Sequence, residues 1–302
     1  MKALVISGGG SKGAFAGGVA EYLIRDCQTR YDMFVGVSTG SLLVPFLALD
    51  QIDAIRKIYT KVTLEDVFSV SPLKVKRRHG ITRARIHHLN VIRQFMRRKQ
   101  TFGDSSALRD LIDRHYSLKM HQQLQDMHQE VILGVSNLSM HQVEYKCQHE
   151  YNREDFRDWM WASANMVPFM SLHHKDGMAY ADGNIGTNLP LQEAINRGAT
   201  EIDAIVLRPR EQLVNYSPPS NAFTLMLNMF DFSMNQISRS DVALARCESR
   251  FRKVSVNFYF TPFILTENAL LFDPEKMERW WILGREYANQ RNPYSIQIKP
   301  EG

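Results

Sequence analysis

Residues 3–6, Ala3-Leu4-Val5-Ile6, are an unbroken apolar run with three glycines close behind. A short run without alternation predicts a strand buried on both faces, over 2–7. A small-residue helix is predicted over 14–25. A second apolar run follows at 31–35, then a glycine turn, then a helix from 39 to about 49. Strand, glycine turn and helix, repeated, is the α/β signature and implies a parallel sheet. Helices are predicted over 51–59, 107–116, with Leu108, Leu111 and Ile112 on one stripe, and 154–164. Strands are predicted over 130–135, 142–147, 202–207 and 254–260. Residues 188–198 predict a helix with Pro190 in its first turn and Gly198 as its stop. Residues 222–250 predict one long helix or two. The last helix, 274–289, has Asp273 as N-cap and Pro274 in first position. No repeat, low-complexity tract or linker divides the 302 residues, so 1–302 reads as a single domain.

Residues 60–103 break this rhythm and read as an excursion or cap. Charge is concentrated there. Residues 72–99 hold ten Lys and Arg and no acid, against a net charge of +5 for the whole chain. That segment suits anionic lipid head groups at a membrane surface, with an acidic protein partner or a solvated basic loop as the alternatives. It lacks the interleaved aromatics that stack nucleic-acid bases, which argues against that partner. His79, His87 and His88 within it read as surface residues. The Met- and Phe-rich stretch 223–234 reads as a helix packed against the sheet. Of Trp280 and Trp281, one is expected to be buried. Three scattered cysteines, Cys27, Cys147 and Cys247, make neither a disulfide framework nor a metal spacing. A reducing, cytoplasmic location is expected, with no signal peptide, no membrane-spanning run and peripheral membrane contact at most.

The chemistry gathers at the two glycine turns. Gly36-Val37-Ser38-Thr39-Gly40 is G-x-S-x-G between a predicted strand and a predicted helix, the setting of a nucleophile elbow. Gly36 and Gly40 leave room for the sharp turn, and Ser38 stands at the positive end of a helix. Gly8-Gly9-Gly10-Ser11-Lys12-Gly13 directs backbone amides at an anion, and Lys12 either adds positive charge beside it or is a solvated lysine. The same residues fit a dinucleotide loop, with Asp26 and Asp32 near the spacing of a ribose-binding acid, so that alternative stays open. No histidine follows His174, and Asp182 lies beyond every histidine, in Tyr180-Ala181-Asp182-Gly183-Asn184. A desolvated carboxylate gains basicity and accepts a serine proton if close. Asp-Gly is also an ordinary turn.

In this order and spacing, the glycine turn, the elbow and the Asp-Gly turn resemble the patatin-like phospholipase family. So do Ala162-Ser163-Ala164 through Pro168, Asn188-Leu189-Pro190 and residues 194–198. The resemblance implies a three-layer α/β/α sandwich around a mostly parallel sheet. It implies a Ser–Asp dyad hydrolase of glycerolipid acyl esters, without catalytic histidine, metal or other cofactor. Ser38 is then the nucleophile and Asp182 the base. The oxyanion hole lies within Gly8, Gly9, Gly10, Ser11, Lys12 and Gly13, with the amides around Gly9, Gly10 and Ser11 as donors and Lys12 in the place of the family's oxyanion cation. The family's third turn residue, Gly or Ala, is Asn184 here. Asn tolerates positive φ, and its side chain is positioned to bond the carboxylate and lower its basicity. The expected function is a phospholipase A or lysophospholipase acting through an acyl-enzyme. The alternative is a catalytically weak lipid-binding or regulatory protein on the same fold.

Overall fold

Side-chain alternation on the first strand, β1 (Lys2–Ile6), divides the interior in two: Leu4 and Ile6 enter one core, Ala3 and Val5 the other. A computed structural model describes residues 1–78, 81–211, 219, 222–266, 268–290 and 294–296. Beside β1 lie β2 (Met33–Val37) and, later in the chain, β5 (Glu130–Asn137), β9 (Glu201–Pro209) and β10 (Ser255–Thr261). In the order β10-β9-β1-β2-β5 these five run parallel. β11 (Tyr294–Ile296) adds to β10 antiparallel, and β6 (Gln142–Cys147) adds to β5 antiparallel. The hairpin of β7 (His173–Lys175) and β8 (Met178–Asp182) completes the sheet.

The sheet divides two helical layers. α1 (Gly13–Glu21), α2 (Thr39–Ala48), α3 (Ile52–Tyr59), α4 (Leu64–Val67), α6 (Ser106–His115), α7 (Leu118–Asp126), α8 (Arg153–Ser163) and α11 (Pro274–Asn289) feed the larger core with Leu4 and Ile6. α9 (Leu191–Asn196) and the later half of α10 (Ala222–Arg252) cover the opposite face, with Leu191, Ile195, Val242 and Ala245 against Val5, Val35 and Val256. The result is a mostly parallel three-layer α/β/α sandwich.

Several elements depart from the sequence reading. Residues 60–103 hold α4, a two-stranded hairpin separate from the main sheet, β3 (Leu73–Arg78) with β4 (Ile81–Ile86), and α5 (His88–Met96). Their apolar positions are too sparse to signal these elements. His79 falls outside the described residues. α7 also carried too few apolar residues to stand out, and β8, Met178-Ala179-Tyr180-Ala181-Asp182, is too short an apolar run to signal a strand by itself. The helix expected over 188–198 shrinks to α9, because Pro190 caps it rather than entering its first turn. Residues 222–252 form one helix, about 46 Å long at 1.5 Å per residue. Its early Met226, Leu227 and Phe230 pack against the larger core and its later Val242 and Ala245 against the smaller, so it crosses the end of the sheet. The expected packing of 223–234 is carried by Met226, Leu227 and Phe230, while Leu225, Met229 and Phe232 stay exposed; the side chains of 223 and 224 lie outside the described residues. Cys27 and Cys247 are exposed free thiols and Cys147 a buried one. No helix among the described residues is long and apolar enough to cross a membrane.

Both tryptophans of α11 are buried, where one was expected. The reason lies in α1. Gly17 and Gly18 let the Trp281 ring and backbone approach so closely that a Cβ at Gly18 would stand 1.9 Å from the Trp281 carbonyl oxygen. The indole Nε1 donates to the buried Glu21 carboxylate at 2.5 Å, so its polar atom is satisfied. Gly18→Ala should therefore separate α1 from α11 and lower stability by about 1–3 kcal/mol, the usual cost of overpacking. Urea unfolding of the variant beside the native chain measures this, and an unchanged midpoint contradicts the packing account.

Candidate active site

Residues 38 and 182 meet because of strand pairing. A strand has two edges. β6 occupies one edge of β5, along 132–137. On the other edge β2 pairs up to Val37, opposite Gly134, and β8 takes over from Asp182, opposite Val135. The end of β2 and the end of β8 thus abut on one edge, and the next residue after Val37 is Ser38. Ser38 Oγ donates to Asp182 Oδ2 at 2.7 Å, and both residues are buried.

The turn that presents Ser38 is strained. Ser38 has φ 55° and ψ −121°, a region that costs a non-glycine residue about 1–3 kcal/mol. Close contacts hold it. A Cβ at Gly36 would stand 2.4 Å from the Gly40 carbonyl carbon, and one at Gly40 the same distance from the Ile6 oxygen. The Ser38 amide donates to Ser163 Oγ at 3.0 Å, and Ser163 Oγ donates to Gly134 O at 2.6 Å. Ser41 Oγ donates to the Ser38 carbonyl at 2.5 Å. Ser163 and Ser41 had no role in the sequence reading. A serine among small residues at a helix end was the available trace of the first.

Asp182 is held on its other side. Its Oδ1 accepts the Asn184 amide at 2.8 Å, and its own amide donates to Asn165 O at 2.9 Å. Burial raises its pKa to about 7, against the opposing pull of the Asn184 amide and the Ser38 hydroxyl. The Asn184 side chain behaves differently from the sequence expectation. Its Oδ1 accepts Asn188 Nδ2 at 2.6 Å and lies over Gly8, where a Cβ would meet it at 2.4 Å. Residues 183–185 form one 3₁₀ turn without positive φ, so no left-handed tolerance is needed. Gly183 serves by size: a Cβ there would stand 2.3 Å from Gly134 O.

The glycine turn offers fewer donors than the sequence allowed. The Gly8 amide donates to Asn188 O, Ser11 to Ala269 O, Lys12 to Gly9 O, and Gly13 back to Gly10 and Ser11. The amides of Gly9 and Gly10 make no hydrogen bond to a described residue, and they border the same cavity as Ser38. Ser11 is thereby removed from the expected donor set. Gly10 has φ 56° and comes so near Ala269 that a Cβ would stand 2.3 Å from its oxygen. Tyr59 Oη donates to Gly10 O at 2.6 Å and also bonds the Thr39 hydroxyl, tying the two glycine turns together. Lys12 borders the cavity, where burial lowers its pKa while Asp231 opposes the fall.

The cavity has a volume of about 800 Å³. Six aliphatic side chains from three helices, Ile55, Ile58, Val67, Leu108, Leu111 and Ile112, line one part. A polar part comes from the end of β9 and from α10: Arg208, Asn228, Asp231, Asn235, Ser238 and Arg239. His115 also borders the cavity, but no described histidine hydrogen-bonds Ser38 or Asp182. The dinucleotide alternative loses its acids. Asp32 accepts the Lys2 amide at the opposite end of the strands, and Asp26 pairs with Arg285. Among the described residues no cluster of three His, Cys, Asp or Glu is arranged to hold a metal.

The model of the family described as "patatin-like phospholipase" matches residues 4–195. The crystal structure of VipD from Legionella pneumophila aligns with 98% of this chain and 68% of its own, at 14% identity and a TM-score of 0.47. No curated protein matches the chain.

Folding raises the Asp182 pKa above the ordinary carboxylate value, so the folded chain binds this proton more tightly than the unfolded one. The contribution to stability is therefore best below about pH 4 and worsens as pH rises to about 7, then stays constant. Asp182→Asn should flatten that dependence and be more stable than the native chain at pH 8, by at most about 4 kcal/mol. Urea midpoints at pH 5 and pH 8 measure it; equal stability at pH 8 contradicts the buried-charge account.

Proposed function

The chain belongs to the patatin-like phospholipase family, and on that premise we propose that it is a serine hydrolase cleaving acyl esters of phospholipids or related glycerolipids, of the phospholipase A or lysophospholipase type. The observation that carries this reading is the 2.7 Å hydrogen bond from Ser38 Oγ to the desolvated Asp182 carboxylate. Ser38 attacks the ester carbonyl as Asp182 takes its proton. The Gly9 and Gly10 amides receive the developing oxyanion, with Lys12 nearby. The protonated Asp182 gives its proton to the leaving alcohol, and an acyl-Ser38 remains. Asp182 then activates water, and a fatty acid leaves. The aliphatic part of the cavity suits the acyl chain.

Hydrolysis of a lysophospholipid and of p-nitrophenyl butyrate tests the dyad. Ser38→Ala and Asp182→Ala should each lower kcat by about 1000-fold or more with the fold retained. A fluorophosphonate should label the native chain at Ser38. Since the base acts deprotonated, kcat/KM should rise about tenfold per unit below pH 7 and level off above it. Full activity in either variant removes the dyad. Lipid binding without turnover in the native chain favours the alternative, a lipid-binding or regulatory protein on this fold.

Contact with an anionic membrane belongs to the same proposal. α5 buries Val91 and Gln94, while Leu89, Ile92 and Met96 share an outward face at helical spacing, with Met96 81% exposed. Arg93, Arg97, Arg98 and Lys99 surround them. Exposed apolar side chains ringed by cations match the apolar boundary and negative head groups of a lipid surface. Co-sedimentation with vesicles containing anionic lipid should fall about tenfold in a Leu89→Glu/Met96→Glu variant, and in the native chain as salt rises. Equal binding to neutral vesicles contradicts the electrostatic part.

A further inference from the structure

The C-terminal edge of the sheet orders the site. In the sequence β9, β1, β2, β5, the strand ends carry Arg208, the glycine turn, Ser38 and the partner of Asp182. Arg208 therefore sits two strands from Ser38, about 10 Å between backbones. Arg208 differs from the other half-buried arginines. Arg109 lies on Asp158, Arg153 and Arg157 on Asp113, and Arg197 on Glu193, each within 2.9 Å. Arg208 has no carboxylate within 4.0 Å among the described residues. Its Nε donates to Ser238 Oγ at 2.7 Å, its Nη1 to Pro209 O at 3.4 Å, and its guanidinium lies 5.8 Å from the Phe260 ring centroid. Nη2 makes no hydrogen bond to a described residue. The acid near it, Asp241, acts on it only from beyond ion-pair distance and accepts, through Oδ2, the amides of Asn188 and Leu189, both at 2.8 Å, and the Thr187 hydroxyl at 3.4 Å.

Burial together with the adjacent Arg239 pushes the Arg208 pKa down to about 10, which still leaves it a cation at neutral pH. A desolvated cation beside a second cation is costly unless an anion joins them. Lys12 feels Arg208 as well. Arg208, Arg239 and Lys12 thus border one cavity; the carboxylate of Asp231, also in its lining, acts on Lys12, whereas Arg208 has no carboxylate within 4.0 Å among the described residues.

We propose that Arg208, with Arg239 and Lys12 beside it, forms a subsite for the phosphate of a lipid head group and makes the cavity selective for phosphate-bearing acyl esters. This rests on the hydrolase reading above and deepens it. Serine 38 then stands between an apolar acyl region and a cationic region. The glycerol of a phospholipid spans the gap between ester and phosphate, and the planar guanidinium matches phosphate oxygens with parallel N–H donors.

The test compares two substrates with one acyl chain, a lysophosphatidylglycerol and the matching monoacylglycerol. Arg208→Gln should lower the ratio of their kcat/KM values about 10- to 100-fold, mostly through KM, the loss of one charge-assisted contact. Arg208→Lys should fall between native and Gln. A thermal melt checks that each variant folds. A ratio within twofold of native in both variants overturns the subsite. If the native chain cleaves neither substrate, the hydrolase reading has failed, and the subsite is judged by calorimetric titration of the two lipids. Tighter binding of the phosphate-bearing lipid, lost in Arg208→Gln, then supports it, and equal affinities overturn it. Inorganic phosphate separates the sources. Arg208-dependent competition against the lysophospholipid supports the phosphate site, whereas phosphate binding with an unaltered substrate ratio overturns the lipid assignment.

Discussion

One edge of β5 is shared end to end by two strands, and the site depends on that sharing. β2 arrives parallel and stops opposite Gly134; β8 arrives antiparallel and stops opposite Val135. Two side chains 144 positions apart in sequence are thereby brought to 2.7 Å by backbone pairing rather than by a flexible loop. A one-residue slip of β8 would turn the Asp182 carboxylate to the other face of the sheet. Gly134 and Gly183 allow this close junction, since a side chain at 183 would strike the Gly134 carbonyl. The strained Ser38 backbone is tied to the same point, because Ser163 links the Ser38 amide to the Gly134 carbonyl.

The burial that organises this junction also sets its chemistry. Desolvation makes the Asp182 carboxylate reluctant to ionise, which raises its affinity for a proton and brings its pKa to about 7. A carboxylate near the ordinary range would be a poor base towards an alcohol. One that remained protonated at neutral pH would be no base at all. The two hydrogen bonds to its oxygens, from Asn184 and Ser38, moderate the rise. On the proposed hydrolase reading, stability is lost where reactivity is gained, as expected when a buried group is held in readiness for charge.

Sequence patterning made the parallel core legible. The buried run at residues 3–6, the elbow at 36–40 and the capped helix at 274–289 carry local signals strong enough to act without tertiary help, and each element lies within about two residues of its expected bounds. The meeting of Ser38 with Asp182 depends on register between distant strands, which no local pattern encodes; there, order and spacing of motifs supplied the expectation. Donor geometry was hidden too, because whether the Ser11 amide is available depends on Ala269, far along the chain. The Asn184 side chain was misplaced because its partners, Asn188 and the space above Gly8, come from another part of the fold. The segment 60–103 gave charge but little periodicity, so its hairpin and helix stayed illegible.

The sheet edge also gives the cavity its polarity. Neighbouring strands in a parallel sheet end at one level, so their following residues form a row spaced by about 4.8 Å per strand. Here that row passes from the Arg208 cation through the amides of Gly9 and Gly10 to Ser38, and then to Asp182. Arg208 and the glycine-turn amides lie on one side of Ser38 in this row and Asp182 on the other. Helices α3, α4 and α6 line the cavity with aliphatic side chains, while α10 crosses the end of the sheet and brings Asn228, Asn235 and Ser238 to it beside Arg208. On the proposed hydrolase reading, a substrate with an apolar tail, an ester and an anionic head finds Arg208 for its head and the aliphatic lining for its tail. In the reverse orientation its tail would cover Arg208 without offering an anion, and its charge would enter the aliphatic lining unpaired. The cost of burying an unpaired charge makes that arrangement the worse one, so on that reading the position of Arg208 in the row of strand ends sets the orientation of the ester against Ser38.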